Sequence, residues 1–231
     1  MVLKHGAKNL FWGMLMVIFG IFFQPPAAAG GELIKLPQPA LKGAVSVEAA
    51  LKARRTVRHF ASRSLDLPQV SQLLWATDGI SDPRGLRTAP SAGATYPLEI
   101  YLVAGDRGVT GLAPGVYRYR PGDHTLELTL KGDHRSQVAQ ASLSQSWMAT
   151  APVMVVLAAE YSRCTARYGQ RGVRYTHMES GLAGENLFLQ AEALGLAAGI
   201  VGAFEDQLLH RALGLPQDHV PLLVMPVGYK H

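Results

Sequence analysis

The chain has 231 residues, 48% hydrophobic and 17% charged, enough apolar material for one full core. Its formal net charge is +5, and the first 29 residues hold two lysines and no acid, so the remainder carries +3. That mildly basic balance does not argue for nucleic acid. A single cysteine, Cys164, excludes an internal disulfide, and neither it nor the eight histidines fall at metal-ligand spacing, so no protein-bound metal is expected.

Residues 1–29 have the pattern of a secretory signal peptide. Lys4 and Lys8 precede an uncharged run from Leu10 to Phe23, Gln24-Pro25-Pro26 breaks it, and Ala27-Ala28-Ala29 is a small-x-small cleavage site. The run is shorter than the roughly 20 residues of a spanning helix. Cleavage after Ala29 and export, to a periplasm, are expected, with membrane attachment only if cleavage fails. No cysteine stands directly after the run to carry a lipid, and no twin-arginine pair precedes it.

Residues 30–43, rich in Pro and Gly, are expected to form an irregular arm, and 44–231 a single domain. Ser46 is placed to cap a helix from Val47 to about Arg55, with Glu48 near its start and Lys52 near its end. A second helix is expected from near Pro68, carrying Leu73, Leu74 and Trp75 inward. Asp82-Pro83-Arg84-Gly85 is a turn and Leu98 to Ala104 a strand. Gly115 to Arg120 and Thr125 to Lys131 form a hairpin around Pro121-Gly122-Asp123-His124.

Asp133 or Ser136 is placed to cap a helix running toward Trp147. Val153 to Ala159, apolar throughout, is a buried strand. Tyr175 to Leu194 is the longest helix, stopping at Gly195, and its Gly181, Ala183 and Gly184 leave room for a second helix to approach. Leu196 to Ala203 and Val220 to Val227 are strands, with a helix from Glu205 to Leu213 between them. The order has no strict βαβ alternation, so an α+β fold with one mixed sheet is expected.

Several chemistries leave no trace. There is no Gly-x-Gly-x-x-Gly, no Gly-Lys-Ser/Thr and no nucleophile-elbow serine. An enzyme without these often borrows its reactive group from a cofactor.

Three segments fit such a cofactor. Arg54-Arg55-Thr56-Val57-Arg58 gathers three guanidiniums and a hydroxyl, groups that fork onto phosphate; alternatively these are cations settled at a helix C-terminus. Ala89-Pro90-Ser91-Ala92-Gly93-Ala94-Thr95-Tyr96-Pro97 is a small-residue loop that a planar ligand or another backbone could approach, or an ordinary loop. In Gly199-Ile200-Val201-Gly202-Ala203-Phe204, Gly202 and Ala203 leave backbone N–H groups uncovered for a ring heteroatom; the plainer reading is a glycine bulge. Arg163, Arg167, Arg171 and Arg174 also recur at helical spacing. They form a solvated basic face or meet an anionic substrate or membrane surface, and Gly169 and Gly172 would let the stretch act as a lid.

In this order, residues 44–229 resemble the nitroreductase family of FMN-dependent oxidoreductases, and within it the SagB/ThcOx-type dehydrogenase branch. The resemblance is carried by Arg54-Arg55-Thr56-Val57-Arg58-His59-Phe60, by Pro90-Ser91-Ala92-Gly93 with Tyr96-Pro97-Leu98-Glu99-Ile100-Tyr101, and by Gly115-Val116-Tyr117-Arg118-Tyr119. Glu179-Ser180-Gly181, Asn186-Leu187, Gln190-Ala191, Gly195-Leu196, Gly202-Ala203-Phe204 and Pro226-Val227-Gly228 complete it.

The resemblance implies a central mixed, mainly antiparallel sheet flanked by helices, in an interlocked homodimer with FMN at the subunit interface. It implies that Arg54, Thr56 and Arg58 hold the FMN phosphate and ribityl chain. Pro90, Ser91 and Gly93 would line the isoalloxazine of the partner subunit, and Gly202 and Ala203 would meet flavin N5 and O4. Two departures stand out: Ala94 occupies a loop position where many nitroreductases have Asn, and the chain ends at Lys230-His231, leaving Lys230 to replace the basic residues that usually reach the phosphate.

The expected function is transfer of hydride or electrons through flavin to or from a small organic substrate. NAD(P)H is a possible donor, in doubt for an exported protein. His59, Tyr96 and Tyr117 are candidate proton donors without an assigned role. The alternative is an exported, non-catalytic flavin-binding or interaction protein on the same scaffold.

Overall fold

A computed structural model describes Met1 and residues 32–231; the expected signal peptide lies outside the described residues. Seven strands form one sheet: β1 (Leu33–Lys35), β2 (Leu98–Ala104), β3 (Gly115–Arg120), β4 (Thr125–Lys131), β5 (Val153–Ala159), β6 (Ala197–Ala198) and β7 (Val220–Gly228). Their order across the sheet is β1-β4-β3-β2-β5-β7-β6. Every ladder between these strands is antiparallel, and among the described residues parallel pairing occurs only as isolated bridges, Thr56 with Ala198 and Leu65 with Val109. The expected α+β class with a mainly antiparallel sheet holds.

Two helix layers cover the sheet. On one face lie α2 (Leu67–Asp78) and the 23-residue α5 (Arg171–Ala193), which bury Leu73, Leu74, Leu187 and Phe188 against Leu102, Val155 and Met225. On the other lie α3 (Arg135–Ala141) and α6 (Asp206–Leu213), which bury Val138, Leu209 and Leu213 against Tyr101, Val103 and Val156. Two short helices complete the fold, α1 (Val47–Ala53) and α4 (Tyr161–Tyr168).

Local chemistry explains most helix starts. Ser46 caps α1 by accepting from the Ala49 N–H. Asp66 and Gln69 close a capping box on α2, which puts its first residue at Leu67, one before Pro68. Gly195, at φ +70°, ends α5.

Four expectations need correction. The arm over 30–43 is not wholly irregular, because Leu33–Lys35 pairs with the outer edge of β4. The helix aimed at Trp147 stops at Ala141, where Leu143 and Ser144 both take positive φ, and a separate short turn, Ser146–Thr150, then carries Trp147. The strand expected over Leu196 to Ala203 shrinks to Ala197–Ala198 with one further bridge at Val201. The Ala198 carbonyl accepts from the Val57 N–H, and Gly199 and Val201 still donate to β7, at the Pro226 and Val224 carbonyls, so pairing with β7 continues as single bonds instead of a regular ladder; a Cβ at Gly199 would strike the Val57 carbonyl and the Trp147 ring. Finally, α5 begins at Arg171, four residues before expected. Gly172 makes this possible, since a Cβ there would stand 2.8 Å from the backbone of Cys164 and Thr165. Of the small residues on α5, Ala183 and Gly184 are buried, Gly184 against Leu223 and Met225 of the sheet; Gly181 alone faces open space.

Candidate functional site

The Arg54–Arg58 segment leaves α1 and runs beside β6. Thr56 bridges Ala198, and the Val57 N–H donates to the Ala198 carbonyl at 2.9 Å. Four residues on, the same strand exit presents Gly202 and Ala203, both exposed. Neither of their N–H groups has a partner among the described residues. Two of the three candidate segments therefore meet within one chain.

The side chains in the clamp divide. Arg55 donates to the carbonyls of Lys52 at 3.0 Å and Arg54 at 2.7 Å, so it finishes the C-terminus of α1 and matches the helix-end reading. Arg54 lies over the Phe188 ring at 5.2 Å with its Nε 3.2 Å from Glu185 Oε1. That Nε is buried and outside hydrogen-bonding geometry, an orphaned donor. Arg58 lies over Trp147 at 5.8 Å and pairs with no acid among the described residues, and the Thr56 hydroxyl likewise bonds no described residue. Lys230 donates to Glu192 at 2.7 Å, so its charge is already matched.

The Pro90 loop is built differently. Gly93, Ala94 and Tyr96 have φ of 59°, 55° and 45°. Bonds to its own chain hold this tight path. The Ala92 N–H donates to Glu179 Oε1 at 2.7 Å, the Tyr96 N–H to Ser91 Oγ at 2.9 Å, and Thr95 Oγ1 to the Ala92 carbonyl at 3.0 Å. Arg167 donates to the Gly93 carbonyl at 3.0 Å and Arg163 to the Tyr96 carbonyl at 3.0 Å. Burial pushes the Glu179 carboxyl above its ordinary value, while the Ala92 N–H and the Ser91 hydroxyl act against that. Ser91 is thus turned into its own loop, whereas Pro90 and Gly93 are exposed.

Within one chain the loop and the clamp lie on different flanks of α5. Glu179 holds the loop and Phe188 carries Arg54; nine positions along a helix separate them by about 13 Å and half a turn.

Behind the loop stands a polar cluster that no sequence spacing announces. Glu99 on β2 accepts from Arg118 of β3 at 2.8 Å and from Arg163 of α4, which also bonds Glu160. Burial raises the Glu99 carboxyl, but the two guanidiniums outweigh it and hold it below its usual range. Asp78 pairs with Arg87, whose guanidinium lies 4.6 Å over the Tyr96 ring. Burial pushes Asp78 up to about 7 against the pull of Arg87. These residues line a cavity of about 530 Å³. His219 joins from the loop before β7, and Tyr101 meets its Nδ1 at 2.6 Å. Ligand atoms of Glu99, Glu160 and His219 lie within 4.8 Å of one another. Arg163 already occupies both carboxylates, so a guanidinium stands where a metal cation would.

Tyr117 is buried with its hydroxyl on the Ala113 carbonyl, and His59 is exposed. The expected solvated face of four arginines is broken, because Arg163 is tied to the cluster. Gly169, at φ +55°, turns the chain between α4 and α5; these two helices are packed together, which does not fit a free lid.

With this geometry in hand, comparison with known proteins is specific. The profile of the Nitroreductase family matches residues 51–229, and the chain belongs to that family. A candidate nitroreductase of Methanocaldococcus jannaschii, MJ1384, is 42% identical over 200 residues, spanning 87% of this chain and 98% of that protein. The crystal structure of a candidate nitroreductase from Ralstonia eutropha JMP134 superposes with a TM-score of 0.73 at 27% identity, covering 86% of this chain and 90% of that one. The microcin B17-processing protein McbC of Escherichia coli is 27% identical over 71% of this chain, which spans 62% of McbC. This agrees with the SagB-type branch seen in the motifs. Family membership makes the chain an oxidoreductase by descent.

Proposed function

We propose that the protein is an FMN-dependent oxidoreductase acting on a small organic substrate, with its site completed by a second copy of the chain. One observation carries the reading. The Thr56–Ala198 bridge brings the Arg54–Arg58 segment beside the short strand whose exit carries Gly202 and Ala203, and their N–H groups have no partner among the described residues. Arg54, Thr56 and Arg58 suit a phosphate and a sugar-like chain, and the two N–H groups suit acceptors on a ring. These residues fit FMN, which when bound supplies hydride transfer through N5. The protein's part is to fix the phosphate, orient the ring and close its exposed face.

The second copy is inferred from the split around α5: a loop on the far flank closes a clamp only in a neighbouring subunit. Val47 and Leu51 on α1 and Met178 and Leu182 on α5 are exposed apolar residues; the first of each pair lies two turns, and the second one turn, before Arg54 or Glu185, and all four suit such an interface. The proposed locale is extracytoplasmic, with residues 1–29 removed; N-terminal sequencing of the native protein tests it. An exported enzyme would take electrons from a donor other than NAD(P)H or pass substrate electrons outward.

The test is direct. The mature protein is expected to be yellow or to take up FMN on titration, and Arg58→Ala to lose it. A colourless protein that binds no FMN would sink the reading. The non-catalytic alternative draws on Ala94 and on the pairing of Lys230 with Glu192; bleaching of bound flavin by a candidate donor under anaerobic conditions separates the two.

A further inference from the structure

Residues 161–178, covering α4 and the start of α5, hold four arginines and no acidic residue. Arg163 is consumed by Glu99 and Glu160. Arg167, Arg171 and Arg174 are exposed and make no ion pair among the described residues. They are not simply spread into water. The Arg167 guanidinium bonds the Gly93 carbonyl at 3.0 Å and lies 5.4 Å over the Tyr168 ring. Arg171 lies 5.9 Å over the Tyr175 ring, and Tyr168 and Tyr175 meet edge to face at 5.3 Å. The group abuts the Pro90 loop so closely that a Cβ at Gly93 would strike the Tyr168 hydroxyl and stand 2.8 Å from the Arg167 guanidinium.

We propose that this wall selects the substrate: a planar, conjugated organic anion whose ring lies on Tyr168 or Tyr175 and whose carboxylate or sulfonate is held by Arg167 and Arg171. The proposal rests on the reading that the Pro90 loop borders the flavin site. Guanidiniums already stacked on aromatic rings lose little freedom when they fork onto an anion, and Arg167 spends one of five donors on Gly93. No acid within the stretch competes for them. A lipid surface is the poorer match, because it is met by mobile cations spread over a broad face, not by cations pinned to a loop carbonyl and two rings.

The experiment is calorimetric titration of the FMN-loaded protein with naphthalene-2-sulfonate and with its neutral isostere naphthalene-2-sulfonamide, neither of which turns over. The sulfonate is expected to bind about tenfold more tightly, the scale of one charge-assisted contact. The preference should shrink as salt rises from about 20 to about 500 mM, through screening. Arg167→Gln with Arg171→Gln should bring the two ligands within about twofold while sulfonamide binding is kept, which also reports that the wall is still folded. Arg171→Lys should retain part of the preference. Equal binding of both ligands by protein that has taken up FMN overturns the proposal and leaves the flavin reading standing. Failure to take up FMN overturns that reading, and this proposal with it. Sedimentation with phosphatidylglycerol vesicles, without sulfonate preference, assigns the cations to a lipid surface and also overturns it.

Discussion

The two halves of the candidate site use the same kinds of atoms in opposite ways. The Arg54–Arg58 clamp with Gly202 and Ala203 leaves donors without a hydrogen bond: an Arg54 Nε that faces Glu185 as an ion pair only, and two exposed backbone N–H groups. The Pro90–Tyr96 loop spends its polar groups on its own chain, through Glu179, Ser91, Arg163 and Arg167. Exposed donors that hold only water are free to exchange it for a ligand's acceptors, whereas donors satisfied within the chain stiffen a surface and are not free to bind. On the proposed reading, the clamp binds and the loop is a wall.

That contrast breaks first at the clamp. Arg54→Ala combined with Arg58→Ala removes two charge-assisted contacts of about 1.5–3 kcal/mol each, so FMN affinity should fall by a factor on the order of 100 or more. Flavin fluorescence quenching measures it. The flavin-free melting temperature should barely move, since the half-exposed Arg54–Glu185 pair contributes at most about 1 kcal/mol. A double variant that binds FMN like the parent would show that the phosphate is held elsewhere.

The loop should answer with stability. Glu179→Ala leaves the half-buried Ala92 N–H without its acceptor, which costs about 1 kcal/mol, or a few degrees in melting temperature. Glu179→Gln keeps an oxygen for that N–H and should melt close to the parent. If the two variants unfold alike by calorimetry, the carboxylate is not what holds the loop.

Gly202→Val separates the two properties at one residue. Its φ is not positive, and an added Cβ would meet only Leu223 Cδ2 at 3.9 Å, so the fold should accept it. The branched side chain would shade the backbone N–H, and FMN affinity should drop about tenfold with the melting temperature unchanged. Loss of stability without loss of affinity would reverse the assignment of Gly202.

Which parts of this were legible in the sequence follows from the range of the interactions. The β3–β4 hairpin and β5 have their boundaries where the alternation and the apolar run put them, because neighbours in sequence set those patterns. Ser46 is recognisable as a cap for the same reason. The strand expected over Leu196 to Ala203 is regular only at Ala197–Ala198, where Ala198 also takes the Val57 N–H and Gly199 lies close to Trp147, both more than 50 residues away in the chain. Arg163 looked like one of four equivalent cations. Its role came from Glu99 on a strand 64 positions earlier, which no helical spacing reveals. Glu179 stood in the recognised motif without a role, and only its contact with Ala92 supplies one. Arg55, counted among the phosphate-seeking guanidiniums, turned to its own helix end.

The smallest effect bears on Ala94, where the family resemblance implies Asn. Ala94 sits at φ +55°, a left-handed conformation that costs an ordinary L-residue about 1–2 kcal/mol and that Asn tolerates better. Many nitroreductases carry Asn in this loop. Ala94→Asn should therefore raise stability by about 0.5–1 kcal/mol, a gain of one to a few degrees by calorimetry. Ala94 is exposed, so the new amide has room to point outward. If stability alone rises, the loop of this chain is a wall, and its Ala is a strain retained at a site that asks no polar contact of position 94. If FMN affinity rises as well, the loop can be given the binding character it lacks, and the division between clamp and wall belongs to this residue rather than to the fold.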